Sequence, residues 1–145
     1  MNTIPEPEGT PLPPVRPVKK PDRRVIGVVE PVIVRGKRGE VRVQARIDTG
    51  ASRTTVDTDI AARAGLGPVL GTVRIRQSIS RHPETRPLVE AELVIEGETF
   101  DVAAAIADRT EMKHHVIVGM DILGSGKFLV DPARGAGKKR KGSFE

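Results

Sequence analysis

The chain has 145 residues, of which 37% are hydrophobic and only 2% aromatic, with a formal net charge of +5 and no cysteine. This length fits one domain, and the composition limits the core to Val, Ile, Leu and Ala. Disulfides and cysteine-ligated metals are excluded, and because no apolar run resembles a signal peptide or a membrane span, we expect a soluble cytoplasmic protein without membrane contact.

The two ends of the chain differ in composition from its middle. Residues 1–22 contain seven of the twelve prolines and predict a disordered or polyproline II arm. Residues 135–145 predict a disordered tail, in which the basic run 138–141 is either simply solvated or makes a weak nucleic-acid or ribosome contact through phosphates. We therefore expect the folded domain at residues 23–134.

Strand patterns dominate this middle region. Residues 25–48 predict a hairpin that turns at 35–40, and its second arm alternates between an apolar face with Val41 and Val43 and a polar face with Arg42 and Gln44. A short helix follows, with Asp57 or Thr58 as its N-cap and Gly65 as its end. The remaining predicted elements are a strand at 72–79, a hairpin at 88–107 that turns at Glu96–Gly97, a buried strand at 115–123 and a last strand at 127–132. The pattern indicates an all-β barrel or sandwich with one short helix.

Two short segments carry the candidate chemistry. The alternating strand ends in Asp48-Thr49-Gly50-Ala51, which is either an ordinary turn, common where Asp precedes Gly, or a turn that presents a carboxylate at the rim of a barrel. About 70 residues later, VIVGMDIL (116–123) runs from an apolar strand into Gly119 and Asp121. Each segment alone is a weak signal, and their pairing is more specific.

In this order and spacing the sequence resembles the single-lobed, retropepsin-like aspartic peptidases. The resemblance rests on ARIDTGASRTT, on RPLVEAELVIEGETFDVAAAIADRTEMKHHVIVGMDIL and on KFLVDPAR, which together span about residues 24–134. It is strongest toward the branch that carries the label of ATP-dependent zinc proteases and is associated with ribosomal-protein glutamate ligases.

The resemblance implies a closed acid-protease barrel with one lobe and Asp48 as the catalytic carboxylate. Thr49, Gly50 and Ala51 would brace the active-site loop, and Gly119 and Asp121 would pack behind that loop and support it. A flap near residues 76–86 would cover a peptide or protein substrate. Its substrate-binding residues would be Ser80, Arg81, His82, Pro83, Glu84, Thr85 and Arg86.

The chemistry of this family implies a second carboxylate. One carboxylate must be ionised to deprotonate water while its neighbour donates a proton to the scissile carbonyl. The chain has a single D-T-G, since the D-T-D at 57–59 opens the helix, and the core is too short for two lobes. We therefore expect a homodimer with one Asp48 from each subunit. The alternative is a catalytically silent pepsin-like module that binds peptides or partners in the same cleft.

The zinc and ATP parts of the family label find little support in the residues. There is no H-E-x-x-H motif, and His114 and His115 would point to opposite faces of a strand, so we expect no metal. The segment GSGK (124–127) lacks the spacing of a phosphate-binding loop and predicts a turn between two strands, so we also expect no cofactor.

Basic residues cluster in the expected flap, at Arg74, Arg76, Arg81 and Arg86. If they face the cleft, they favour acidic substrates such as glutamate-rich tails. If they face outward, they form a solvated hairpin surface.

Overall fold

The computed structural model describes residues 23–75 and 84–135. The predicted Pro-rich arm, most of the predicted flap and the basic run 138–141 lie outside these residues. Nine strands and two helices form in the described part of the chain: β1 (Arg24–Ile26), β2 (Val29–Gly36), β3 (Gly39–Ile47), β4 (Thr55–Asp57), α1 (Thr58–Ala64), β5 (Val69–Ile75), β6 (Glu84–Ile95), β7 (Glu98–Ala107), β8 (Val116–Val118), α2 (Met120–Ser125) and β9 (Phe128–Val130).

Both predicted hairpins form. In the first, β2 and β3 are antiparallel and remain in register from Val29↔Arg46 to Gly36↔Gly39. In the second, β6 and β7 are antiparallel and are joined by a turn in which Glu96 and Gly97 both have positive φ, 51° and 77°. Two left-handed residues suit a tight turn between twisted strands, which explains the Gly at the second position.

The sheet closes into a barrel. Its strand order is β2-β3-β8-β4-β7-β6, and β6 pairs back onto β2, so six strands form a closed ring with β5 added along β6. The expected all-β barrel is therefore confirmed.

The order of the strands determines where the site forms. The short strand β8 is parallel to β3, with Ile47 opposite Val118, and antiparallel to β4. Because β3 and β8 are parallel, their C-terminal ends meet at one edge of the barrel. The residues that follow them, Asp48 and Gly119, therefore come together there.

The core is aliphatic, as the composition predicts. Side chains from every strand except β5 and from both helices fill it, nearly all of them Val, Ile, Leu or Ala, and Phe100 and Phe128 contact each other with ring centroids 5.9 Å apart. Val41 and Val43 pack against this core, and Arg42 and Gln44 are exposed, which confirms the predicted faces of β3.

Helix α1 forms where it is predicted. The Asp57 carboxylate accepts a hydrogen bond from the backbone N–H of Asp59, and Gly65 ends the helix in the left-handed conformation with φ of 72°. Asp57 is therefore the N-cap, and the glycine fits a conformation that other residues rarely adopt.

The structure corrects the prediction of a single helix and of a strand over 115–123. Only Val116–Val118 is strand, and the chain then turns at Gly119 into α2. A short apolar run is compatible with a buried strand and with a buried helix, and here Ile122 and Leu123 are buried while Met120 is exposed. Accordingly Gly124 and Ser125 close a helix, and only Gly126 and Lys127 form the turn predicted for GSGK.

Three smaller differences concern strand boundaries. The predicted strand at 25–34 is interrupted after Ile26, and its first part pairs in parallel with β9. The three-residue strand β4 is too short to show a periodic pattern. His114 and His115 precede β8 and do not begin it.

No helix among the described residues has both the length and the apolar character that a membrane crossing requires.

Candidate active site

Asp48 lies at the end of β3, where its backbone is fixed on two sides. Its N–H donates to the Val118 carbonyl at 2.9 Å, and its own carbonyl accepts from the Ala51 N–H at 3.1 Å. The side chain is fixed as well, because the Gly50 N–H donates to Asp48 Oδ1 at 2.9 Å. The segment is thus an Asx-type turn, as the simpler interpretation of the sequence predicts, and the same turn holds a half-buried carboxylate in one orientation.

The Asp48 carboxylate opens onto a cavity of about 580 Å³, which we call the Asp48 cavity. Its lining residues come from the end of β3, the loop before β4, the end of β5, the start of β6 and the loop after β7. They are Arg46, Asp48, Gly50, Ala51, Ser52, Arg53, Thr55, Val73, Arg74, Ile75, Arg86, Arg109, Met112 and Ile117. Asp48 is the only carboxylate in this set.

Gly119 lies directly behind the Asp48 loop. A Cβ on this residue would lie 2.7 Å from the Arg53 carbonyl carbon and 2.8 Å from the Ala51 oxygen, closer than real Cβ contacts come. The next residue, Met120, donates its N–H to the Ala51 carbonyl at 2.8 Å. The loop and the start of α2 are therefore in direct contact, and this contact requires glycine.

Asp121 binds the other end of the same loop. Its two carboxylate oxygens accept from the N–H and the hydroxyl of Thr54, and Oδ1 also accepts from the N–H of Ile122. The Thr54 hydroxyl oxygen in turn accepts from the Gly119 N–H at 3.2 Å. Asp121 is thus a structural carboxylate that does not line the Asp48 cavity.

Thr49 faces another surface. It lines a separate hollow of about 570 Å³, which we call the Thr49 hollow, together with residues of α2 and β9 that include Met120, Leu123 and Leu129. Thr49 and Gly50 are exposed, and Ala51 is half-buried at the wall of the Asp48 cavity.

The expected flap is described only in part. Ser80, Arg81, His82 and Pro83 lie outside the described residues, and Glu84, Thr85 and Arg86 are the first residues of β6. Of these three, Arg86 lines the Asp48 cavity, and its guanidinium pairs with Glu84 at 2.8 Å.

Sequence reasoning assigned no role to Thr54, Arg46 or Arg109. Arg46 could have been found, because it lies two residues before Asp48 on the same face of an alternating strand. The position of Arg109 depends on distant contacts: its N–H donates to Asp57 Oδ1 at 2.7 Å, and its Nε donates to the His114 carbonyl at 2.9 Å. Asp57 therefore caps α1 and also fixes the loop that carries Arg109.

Two pKa values around this loop are lowered, first by burial and then by neighbouring positive charge. Burial lowers the pKa of Arg109, as do the neighbouring Arg86 and Arg46, while Asp57 and Asp48 act in the opposite direction. Burial also lowers the pKa of His114, with smaller contributions from Lys113, Arg46, Arg109 and His115.

No group of three His, Asp or Glu side chains in residues 23–75 and 84–135 is arranged to hold a metal ion. His114 and His115 are the two histidines in these ranges, and His82 lies outside them.

Comparisons with known proteins agree with this fold. The sequence model of a family described as aspartyl protease matches residues 31–122, while no curated protein matches the chain. Among solved structures, EIAV protease in complex with the inhibitor HBY-793 superposes with a TM-score of 0.53 at 17% identity, over 67% of this chain and 85% of that one. Lpg0085, a protein of unknown function (DUF785) from Legionella pneumophila subsp. pneumophila str. Philadelphia 1, gives a TM-score of 0.51 at 14% identity, over 76% and 94%.

The expected retropepsin-like fold is thereby confirmed. None of these matches supports a nucleic-acid or ribosome contact by residues 138–141.

Proposed function

Because this chain belongs to the aspartyl protease family, we propose that it is an endopeptidase in which Asp48 works with Asp48 of the partner subunit. One observation carries the proposal: a single carboxylate, fixed by the Gly50 N–H, opens onto a cavity large enough for several side chains of a peptide. Two other aspartates lie near Asp48, but their carboxylates accept structural hydrogen bonds. Asp121 accepts from Thr54, and Asp57 accepts from the N–H groups of Asp59 and Arg109.

The reaction assigns different roles to two equivalent carboxyl groups. One carboxylate takes a proton from the attacking water, and the other, protonated, donates to the carbonyl oxygen of the scissile peptide bond. The pair therefore works with one shared proton, and kcat/KM should fall at both low and high pH. Among the described residues, one subunit offers one such group to its cavity, and in this proposal a second subunit supplies the other.

The surface beside Asp48 suits a second copy of the chain. Val25 and Leu129 lie opposite each other on β1 and β9 and are 44% and 43% exposed, and Met120 on α2 is 44% exposed. In the described part of the chain, β1 and β9 pair only with each other, so another strand can extend this small sheet along β9. On β1, the Val25 carbonyl already accepts from the Arg134 guanidinium at 2.9 Å. A two-fold axis through the Asp48 loop would bring this face of each subunit against the other.

The direct test compares the wild-type protein with Asp48→Asn on a mixed peptide library, with the oligomeric state measured by sedimentation. We expect a dimeric variant whose kcat/KM is lower by roughly 10²–10⁴-fold, as for loss of a general acid or base. If the wild-type protein cleaves no peptide at any pH but still binds peptides, it is a silent binding module and the proposed function is wrong.

A mixing experiment tests the shared site separately. Excess Asp48→Asn subunits are equilibrated with a limiting amount of wild-type protein, and cleavage is followed. Mixed dimers have one carboxylate instead of two, so activity should fall well below that of wild-type protein diluted with buffer. Unchanged activity would show that one subunit is sufficient.

A further inference from the structure

The Asp48 cavity contains an excess of positive charge. Five of its lining residues are arginines, and Asp48 is the one lining carboxylate among the described residues. The arginines are Arg46, Arg53, Arg74, Arg86 and Arg109.

Most of these guanidinium groups have no ion-pair partner among the residues that the structure describes. Arg86 pairs with Glu84, but within residues 23–75 and 84–135 no carboxylate lies within 4.0 Å of the other four. Arg53 and Arg109 donate to the carbonyls of Ala103 and His114, which carry no net charge.

Arginines elsewhere in the barrel are of two kinds. Arg24 pairs with Glu98, Arg35 with Glu40 and Glu92, and Arg63 with Asp59. Within residues 23–75 and 84–135, Arg38, Arg42 and Arg134 have no carboxylate within 4.0 Å, and they lie apart from the cavity. What distinguishes the cavity is that the positive charge of five arginines is grouped around one carboxylate. The mutual repulsion of these charges is visible in the pKa of Arg109, which burial lowers first and Arg86 and Arg46 lower further.

The arginines come from different elements around one carboxylate. Arg46 lies on β3, two residues before Asp48. Arg74 lies on β5 next to Val73, which is opposite Arg86 on β6. Arg109 extends from the loop after β7, where two hydrogen bonds hold it. A chain passing over Asp48 would meet guanidinium groups on several sides. Guanidinium binds carboxylates strongly because its N–H groups match both oxygens.

We propose that the Asp48 cavity selects peptides that carry Asp or Glu side chains on either side of the bond to be cleaved, with Arg46, Arg74 and Arg109 as specificity-determining residues. This inference rests on the proposed function for the cleavage step, but the binding preference can be tested without it. A nucleic acid is the less suitable anion, because the two aromatic side chains among the described residues, Phe100 and Phe128, are buried and offer no stacking surface.

The binding test uses the full chain with Asp48→Asn, so that bound peptides are not cleaved. Fluorescence anisotropy is measured with three labelled peptides of equal length that differ only at the central positions, which are Glu, Gln or Lys. We expect the Glu peptide to bind about tenfold or more tightly than the Gln peptide, as for one or more charge-assisted hydrogen bonds. The Lys peptide should bind most weakly.

Substitutions then locate the effect. In the same background, Arg46→Gln and Arg74→Gln should each weaken binding of the Glu peptide several-fold and change binding of the Gln peptide little. Both arginines are exposed, so the variants should fold. The matched control is Arg42→Gln, which removes an exposed arginine from the same strand outside the cavity, and its binding should equal that of the parent.

Two outcomes would overturn the inference. Equal affinity for the Glu and Gln peptides would show that the arginines serve only as a solvated surface. Tighter binding of single-stranded DNA of equal charge, lost in the same variants, would assign the cavity to nucleic acid. If acidic peptides bind selectively but the wild-type protein never cleaves them, the proposed function fails and the binding preference stands.

Discussion

Thr54 and Asp121 are joined by two hydrogen bonds that connect the Asp48 loop to helix α2. The Thr54 N–H donates to Asp121 Oδ2 at 2.9 Å, and the Thr54 hydroxyl donates to Asp121 Oδ1 at 2.7 Å. Thr54 has no exposed surface, and its hydroxyl oxygen also accepts from the Gly119 N–H at 3.2 Å. One threonine thus connects both segments that the sequence marks as chemically important.

The first prediction concerns this hydroxyl. Thr54→Val keeps the shape of the side chain but removes the donor to Asp121 and the acceptor for Gly119. Leaving a buried N–H and a partly buried carboxylate without these partners should lower the free energy of unfolding by about 1–3 kcal/mol. Urea denaturation measures this change.

Thr54→Ser is the matched control for that variant. It keeps the hydroxyl and loses one buried methyl group, so it should retain both hydrogen bonds and lose about 1 kcal/mol from packing. If the valine variant is as stable as the wild-type protein and the serine variant is not, the methyl group matters and the hydrogen bonds do not.

The second prediction tests the close contact behind Asp48. Gly119→Ala would place a Cβ 2.7 Å from the Arg53 carbonyl carbon and 2.8 Å from the Ala51 oxygen. Both atoms belong to backbone that cannot simply rotate away, so the Asp48 loop has to shift. We expect a loss of about 1–3 kcal/mol in unfolding free energy, as for an overpacked site, together with lower peptidase activity.

Gly124→Ala is the control for this substitution. Gly124 lies in α2, five residues from Gly119, and an added Cβ there would meet nothing within 4 Å. Alanine inside a helix should be neutral or raise the unfolding free energy by about 0.5–1 kcal/mol. Equal effects of the two substitutions would contradict the close contact.

The sequence predicts those features that depend on local pattern. Alternation identified β3 and placed Asp48 at its end, and the capping chemistry of Asp57 and Gly65 bounded α1. Features that depend on which distant segments meet were not predictable. The apolar run at 115–123 fits a strand and a helix equally well, and only the structure shows that its second half is α2. The role of Arg109 depends on Asp57, 52 residues away. Thr54 likewise becomes important only when β8 places α2 beside it.

The third prediction concerns His114 and acid. Burial, followed by the charges of Lys113, Arg46 and Arg109, lowers the pKa of His114 in the folded protein below its ordinary value of 6.5. Below about pH 6.5 the unfolded chain therefore takes up a proton more readily than the folded protein. This contribution to stability is complete above the unfolded pKa and is lost as the pH falls through the folded pKa.

His114→Gln removes that pH dependence. The free energy of unfolding is measured by urea denaturation at pH 7.5, 6.5 and 5.5 for both proteins. On acidification the wild-type protein should lose more stability than the variant, and added salt should reduce the difference by screening the neighbouring cations. A wild-type-to-variant difference that is constant with pH would show that His114 titrates normally.

The fourth prediction tests the face that the proposed dimer would use. Leu129 is 43% exposed beside the Thr49 hollow, and a charged residue there would be buried without a partner when two subunits meet. Leu129→Asp should therefore shift the sedimentation equilibrium toward monomer and make cleavage strongly dependent on protein concentration. The subunit itself should stay folded, because a half-exposed position can keep the new carboxylate in water. Leu70→Asp is the control, since Leu70 is 55% exposed on β5 outside that hollow and its substitution should leave association unchanged. If Leu129→Asp sediments as a dimer and Leu70→Asp as a monomer, the subunits meet through β5 and the proposed face is wrong, although the requirement for a second Asp48 would remain.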